Sequence, residues 1–412
     1  MAQSIVVYAI PLYLILIFIE LMVDRYRGTG YYRLNDAFGS LSLGIMSRSS
    51  KLIVLSLGAL FMDHVLPQAR WFEMSADSAL TWIFAFVAYD LTYYWSHRMG
   101  HTLNLFWAGH AIHHSSEEYN LTTALRQTSS GIWGWVFSIP MLMLGVPVEV
   151  YLTCAGLNLI YQFWVHTRHI DRLWNWFEWL MVTPSHHRVH HAQNAVYIDK
   201  NHGGVFIIWD KMFGTFQAEL DDEAIIYGVR RPLHSFNPAW ANVQIWWSLI
   251  KDAWRTDNWW DKCRIWFMPT GWRPADVEQR YPIAKSDLAK FKKYDPQVDS
   301  VSQWYGFAQL AMNVGLLIYF LFFMSGLEFG VLLLAFIVIS LPLVTTAWLL
   351  EGRGHQWELS RLVFSAAAYV IALPVMSVTS AQVFGTYLIL NGALYAYLWW
   401  VKDADHEAVS PS

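Results

Sequence analysis

The sequence predicts an all-α integral membrane protein of about nine transmembrane helices with a cytoplasmic histidine-rich domain. Three observations carry that expectation. Of 412 residues, 55% are hydrophobic and only 15% charged. Apolar runs of roughly membrane length recur at both ends of the chain, about 20 residues being needed to cross a bilayer as helix. Between them, histidines repeat at helical spacing.

The first run covers residues 4–23, apolar from Ile5 to Val23. It lacks the basic leader and small-residue cleavage site of a signal peptide, so a retained helix is expected. A short mixed segment at 39–47 is expected at the membrane interface. A second span covers roughly 51–66. A third, 78–97, ends on the first histidine cluster. The polar stretch 98–130 holds the second cluster. Spans at 131–147 and 149–166 form a tight hairpin, with Gly145-Val146-Pro147 as its turn. Residues 167–300 read as a soluble domain with most of the 28 Lys and Arg residues. Its Trp-rich stretches, such as Ile245-Trp246-Trp247 and Trp259-Trp260, suit a membrane surface. Four apolar runs follow, at 302–325, 327–350, 360–378 and 380–401. They predict a structural bundle that also contributes to a lipid tunnel. Trp304, Tyr305, Trp399 and Trp400 stand at span ends as interfacial anchors. The working division is therefore 1–76, 77–220, 221–300 and 301–412.

Lys and Arg mark cytoplasmic loops. Arg25, Arg27 and Arg33 follow the first span, which puts the N-terminus outside. Alternation then brings Arg98, Arg126, the 167–300 region, Arg353, Arg361, Lys402 and the C-terminus inside. The outer loops keep only Arg70. All histidine clusters fall on the cytoplasmic side.

Net charge is −4, so no general affinity for nucleic acid is indicated. The 17% aromatic content, with 24 Trp, suits membrane interfaces and apolar channels. Cys154 lies in an apolar run and Cys263 in a basic segment, which excludes a disulfide framework or a thiolate cluster.

Three clusters hold eight of the 16 histidines: His97 and His101; His110, His113 and His114; His187, His190 and His191. Residues at i, i+3 and i+4 share one helix face, so each cluster aims its imidazoles one way. Neutral imidazole ligates transition metals. Eight nitrogens exceed the needs of one ion, which implies two, at about four nitrogens each.

A zinc protease needs His-Glu-x-x-His with its Glu as base, but Arg98, Met99 and Gly100 separate His97 from His101. A zinc finger needs cysteines at fixed spacing, and a ferritin-like site needs Glu-x-x-His pairs. Both are missing. Imidazole alone does not choose among iron, zinc and copper. Oxidising an unactivated lipid C–H bond needs redox activation of oxygen, which favours two iron ions, with zinc as a substitute. A non-redox membrane metal-binding protein is the distant alternative, and the one-sided placement of the ligands argues against it. Asp90 sits inside the third span, where a carboxylate is costly. It lies two turns before His97 with Tyr94 between, and is expected as an acceptor for a ligand N–H or as a counter-charge to two divalent ions.

These clusters resemble the fatty acid hydroxylase and sterol desaturase superfamily. The surrounding text matches too: Asp90-Leu-Thr-Tyr-Tyr-Trp-Ser-His97, Tyr161-Gln-Phe-Trp-Val-His166, Thr183-Pro-Ser-His-His-Arg-Val-His-His191, and Asp199-Lys-Asn-His-Gly-Gly204 running to Trp209-Asp210-Lys-Met-Phe-Gly-Thr215. The resemblance covers roughly 80–220. It implies a di-iron, dioxygen-dependent oxidoreductase acting on a lipid, with His166 as a ninth ligand. Gly271-Trp272-Arg273-Pro274 and the C-terminal spans are similar to the alkylglycerol monooxygenase branch. That likeness implies hydroxylation of an ether lipid, with a tetrahydropterin as the external electron donor. Sterol or fatty acyl hydroxylation or desaturation is the alternative use of the same site. In that branch an acidic residue follows the second histidine of the first cluster, and here Thr102 stands there. His169 reads equally as a surface residue, and His186 as ligand or ligand support. His202, where relatives carry Tyr, reads as a non-ligand. His64, His234, His355 and His406 read as ordinary polar residues.

Overall fold

The computed structural model describes residues 5–51, 57–130, 134–284, 286–323 and 329–409. Its principal helices are α1 (Ile5–Arg27), α2 (Leu34–Ser50), α3 (Ala79–Thr102), α4 (Asn104–His114), α5 (Val148–Trp164), α6 (Pro184–His190), α7 (Pro238–Arg255), α8 (Ser300–Phe323), α9 (Phe329–Leu350), α10 (Gln356–Ala372) and α11 (Val378–Val409). Among the described residues the only β pairing is isolated bridges.

The chain divides into two compact units. The first comprises residues 1–33, 55–233 and 242–293. Here α3 and α5 pack side by side. Tyr93 Oη donates to Gln162 Oε1 at 2.6 Å, and Asn158 Nδ2 donates to Asp90 Oδ1 at 2.6 Å. The α1 helix lies against α5, where Tyr13 stacks on Phe163 with ring centroids 4.1 Å apart. Buried Glu20 on α1 would be costly unpaired. It accepts from the Leu121 amide at 2.7 Å and from the Thr167 and Tyr32 hydroxyls. An apolar cluster of Leu66, Ala85, Met141, Leu142, Val150 and Cys154 closes the far side. Ile245 and Trp246 of α7 pack against Leu249 and Ile265, whereas Trp259 and Trp260 project outward, 79% and 66% exposed.

The second unit comprises residues 34–54, 234–241 and 294–412. In it α8, α9, α10 and α11 pack in succession, with α2 against α8 and α9. The segment expected at the interface is therefore an internal helix. Gly39, Ser40, Ser42, Ser47 and Ser49 explain it: small side chains let helices approach closely, and all five are buried. Glu358 accepts from Tyr305 Oη at 2.6 Å and Arg361 Nε at 2.8 Å at the centre of this unit.

Four described helical segments are long and apolar enough to cross a membrane: Ile5–Arg27, Ser300–Phe323, Gly330–Leu350 and Gln356–Val375. Helix α3 has the length, 24 residues, but carries Asp90, His97, Arg98 and His101. The expected span at 51–66 lies partly outside the described residues. Its described part belongs to a short helical segment from Leu57 to Ala69 with a π turn at Phe61–Val65. The expected span at 131–147 is also partly outside them. Its described part, Gly134–Met143, is a 3-10 turn followed by a short α-helix, about 17 Å in all, little more than half the membrane's hydrocarbon thickness. The last two runs divide at Leu373–Val375 rather than near residue 379, because Pro374 cannot continue a helix.

Candidate metal centre

Four stretches of the first unit bring histidines together. His97 and His101 lie on the last turns of α3. Leu103, in an extended conformation (φ −122°, ψ 135°), ends α3 and also precedes α4. That one-residue corner turns α4 back so that His110 faces His97. It is braced from outside: the Asn104 amide donates to the Met268 carbonyl at 3.0 Å, the Thr270 amide to the Thr102 carbonyl at 3.1 Å, and the Gly271 amide to Asn104 Oδ1 at 3.0 Å. His166 follows the end of α5. His187 and His190 lie on α6, with His191 as its C-cap. Thr183 caps the start of α6 and Pro184 occupies its first turn, the usual helix-opening chemistry.

The nine histidines named from the sequence fall into two groups. His97, His101, His110, His114 and His190 form one; His113, His166, His187 and His191 form the other. Within each group the ring nitrogens lie within 4.8 Å of one another. The expectation of one direction per cluster is corrected here. On α4, His110 and His114 face the first group and His113 the second. On α6, His190 faces the first, and His187 and His191 the second. Residues one apart on a helix point about 100° apart, so a double-histidine ending necessarily straddles two sites. The groups share a wall where His114 stacks on His191, with centroids 4.3 Å apart.

The donor chemistry fits a metal. His97 and His114 each place Nε2 3.0 Å from His110 Nε2. In the other group, His166 Nε2 lies 3.0 Å from His187 Nε2 and 3.3 Å from His113 Nε2. Such separations are the edges that metal–nitrogen bonds of about 2.0–2.1 Å create around one ion. Four of the rings have their other nitrogen on a backbone carbonyl: His97 Nδ1 on His202 (2.8 Å), His113 Nδ1 on Arg126 (3.1 Å), His166 Nδ1 on Gln162 (2.8 Å) and His190 Nδ1 on Lys200 (2.9 Å). A carbonyl only accepts, so each Nδ1 carries the proton and each Nε2 offers its lone pair. Burial, and then neighbouring imidazoles, hold His110, His114, His187, His190 and His191 well below the ordinary histidine range, and burial holds His113 down at about 4. These rings are neutral at pH 7, the ligating form.

Asp90 does not orient a histidine directly. Seven residues along a helix is about 10 Å, beyond contact with His97. Its carboxylate instead collects Asn158 Nδ2, the amides of Val205 (2.8 Å) and Phe206 (3.0 Å), and Trp209 Nε1 (2.9 Å). Asp210 does the same one step upstream, taking the amides of His202 and Gly203 at 2.7 Å each. Together they fix the loop whose carbonyls at Lys200 and His202 hold His190 and His97. Asp199 and Asn201 in that loop adopt left-handed conformations (φ 55° and 56°). Asn201 is tied down through the His186 and Gln217 carbonyls, which offsets that strain. Tyr94 reaches Thr215 Oγ1 at 2.9 Å, bonding neither Asp90 nor His97.

The other histidines lie outside both groups. His186 Nε2 is 3.0 Å from Glu178 Oε2, and His169 Nε2 is 3.8 Å from Asp24 Oδ1. His202 is fully buried beside the first group, its ring 5.0 Å from that of His101. His64 is exposed. His234 and His355 lie against the rings of Tyr294 and Tyr395. The His406 side chain is outside the described residues. Thr102 uses its hydroxyl on the Arg98 carbonyl of its own helix, at 3.0 Å. The carbonyl acceptors are what sequence reasoning missed, and every residue carries one, so no letter marks them.

Residues 82–215 match the family model described as fatty acid hydroxylase. The alkylglycerol monooxygenase of Danio rerio is 34% identical over 365 residues, 86% of this chain and 79% of that protein. The chain belongs to the fatty acid hydroxylase family. The human alkylglycerol monooxygenase is 42% identical over 269 residues, 65% of this chain and 60% of its own length. The chain also spans 66% of the Xenopus tropicalis protein of that name. A more distant family likeness is the ornithine lipid hydroxylase OlsE of Rhizobium tropici, 23% identical over 227 residues. No solved structure matches significantly. The family match contains all nine histidines as well as Asp90 and Asp210.

Proposed function

We propose that this protein is a membrane di-iron lipid hydroxylase, acting on an alkylglycerol-type ether lipid. The carrying observation is the division of nine buried imidazoles into two separate groups, each converging within 4.8 Å. His97, His101, His110, His114 and His190 would hold one iron, and His113, His166, His187 and His191 the other. Two irons so placed would supply redox activation of dioxygen; the overall reaction would put one oxygen atom into a lipid C–H bond and release the other as water, with two electrons and two protons supplied from outside. The chain's own part is to keep the rings neutral by burial, fix their tautomers through carbonyls, and hold those carbonyls through Asp90 and Asp210. Zinc fits the same donors but offers no redox chemistry. An external reductant is required, and likeness to the alkylglycerol monooxygenases favours a tetrahydropterin.

The protein is multi-pass, with its N-terminus outside and its C-terminus and metal centre on the cytoplasmic side. Arg25, Arg27 and Arg33 after α1 support that orientation. In the order of the chain, the runs at 51–66 and 78–97 form one consecutive pair, and those at 131–147 and 149–166 another. Whether such a pair crosses the bilayer or dips into it, both ends return to the same face, and the histidines stay cytoplasmic in either case.

The test is lipid analysis of membranes expressing the wild type or the His113→Ala/His114→Ala variant, with and without oxygen. A hydroxylated or cleaved ether lipid should depend on both histidines and on oxygen. A new double bond or an oxidised sterol methyl would move the substrate assignment. Identical lipids in all samples would sink the enzyme reading.

A further inference from the structure

A cavity of about 370 Å³ opens beside the five-histidine group, within the usual size range of ligand sites. His101, His114 and His190 are among the residues that line it. Trp107, Trp272, Ile245 and Leu249 supply apolar wall, while Arg230, Arg231 and Arg273 make the lining cationic. Not all of this charge is free. Arg273 is engaged by Asp252 through two contacts, 2.6 and 3.1 Å, and by the Tyr281 carbonyl. Among the described residues Arg230 gives only its Nε, to the Gln193 carbonyl at 3.1 Å. Among the described residues Arg231 makes no hydrogen bond and no ion pair within 4 Å, while Asp252 and Glu278 attract it from further off. The remaining acid of the lining, Asp199, lies 3.8 Å from His101 Nδ1. The cavity thus keeps a surplus of guanidinium N–H groups, whose planar fork suits phosphate and carboxylate.

These arginines are tied to the metal-site scaffold. Gln193 stands two residues after His191. Its amide donates to the Ile226 carbonyl at 2.8 Å, and its side chain to the Tyr227 carbonyl at 2.9 Å. Gly228, at φ 110°, then turns the chain. Pro232 restricts Arg231 to extended backbone. The arginines are therefore positioned by the same segment that ends α6.

We propose that this cavity takes an amphiphile whose polar end is an anion, phosphate or carboxylate, bound by Arg231 with Arg230. The first carbons beyond that end face His101, His114 and His190. The proposal rests on the lipid hydroxylase reading and adds the charge of the substrate and the residues that select it. A free phosphate would use the same chemistry, so both sources enter the test.

Equilibrium binding of a radiolabelled alkylglycerol phosphate, an uncharged alkylglycerol and inorganic phosphate is measured on the full-length, metal-loaded protein in neutral detergent. The phosphorylated lipid should bind about 10-fold more tightly than the uncharged one. Arg231→Gln should abolish that preference without weakening the uncharged lipid, and Arg231→Lys should restore part of it. Equal affinities, or a preference unchanged by Arg231→Gln, would overturn the proposal. Inorganic phosphate binding as tightly as the phosphorylated lipid would overturn its lipid half. The same samples, supplied with a tetrahydropterin as reductant, are assayed for oxygen-dependent product. Oxidation of the uncharged lipid without charge preference overturns this proposal and leaves the hydroxylase reading standing. Charge-dependent binding with no oxidation of either lipid supports the site and defeats the hydroxylase reading.

Discussion

Asp90 accepts the backbone N–H of Val205 at 2.8 Å, three residues beyond the carbonyl that holds His97. The carboxylate inside α3 therefore reaches the first histidine group through a loop. Asp90→Asn turns an amide toward donors and removes the charge they share. Loss of such outer-shell support typically costs 10–100-fold in metal affinity. Metal analysis of the purified variant should show depletion of the five-histidine group with the four-histidine group still filled. Two full equivalents of metal would show that Asp90 is dispensable to the loop.

His113 and His114 are neighbours in sequence but belong to different groups. His113→Ala leaves three nitrogens in its group, whereas His114→Ala leaves four. Purified His113→Ala should retain about one metal per chain at limiting iron, and His114→Ala should retain nearly two with one held more weakly. Equal loss in both variants would mean that the groups do not fill independently.

Much of this centre was legible in the sequence, because i, i+3, i+4 spacing is a direct consequence of helix geometry. All nine histidines were found that way or through the resemblance around His166. The division into five and four was not, since it depends on how α4 and α6 lie against each other. The partners of Asp90 were not legible for a related reason. Its position on the helix could be read, but its partners at Val205, Phe206 and Trp209 are more than a hundred residues away. The spans read less well than the histidines, since apolar composition does not distinguish a crossing helix from short helices such as Gly134–Met143.

Gly204 sits where a side chain cannot. A Cβ there would lie 2.8 Å from Asn158 Oδ1 and 2.9 Å from Asp90 Oδ1. Gly204→Ala should cost about 1–3 kcal/mol by overpacking and disturb the same loop. Thermal unfolding in detergent, compared with a surface Gly→Ala control at Gly330, measures this. A melting temperature equal to that of the control would contradict the crowding.

In the second unit, Glu358 and Arg361 are both buried; Thr346 and Tyr305 donate to Glu358, and Arg361 Nη2 donates to Tyr305 Oη. Removing one partner of a buried pair commonly costs about 3–5 kcal/mol, while replacing both by apolar residues costs far less. Arg361→Met alone should therefore destabilise more than Arg361→Met combined with Glu358→Leu, as read by denaturant unfolding of the reconstituted protein. Additive losses would show that the two charges are not coupled.

Under the proposed function, a lipid gains one oxygen atom from dioxygen when both histidine groups hold iron. Isotope tracing tests it most directly. Purified iron-loaded protein is given an alkylglycerol, a tetrahydropterin and ¹⁸O₂, and the product is analysed by mass spectrometry. The account predicts one labelled oxygen per initial oxidised product, lost in the His113→Ala/His114→Ala variant. Product formed without oxygen, or carrying its new oxygen from water alone in an immediately quenched reaction, would contradict it.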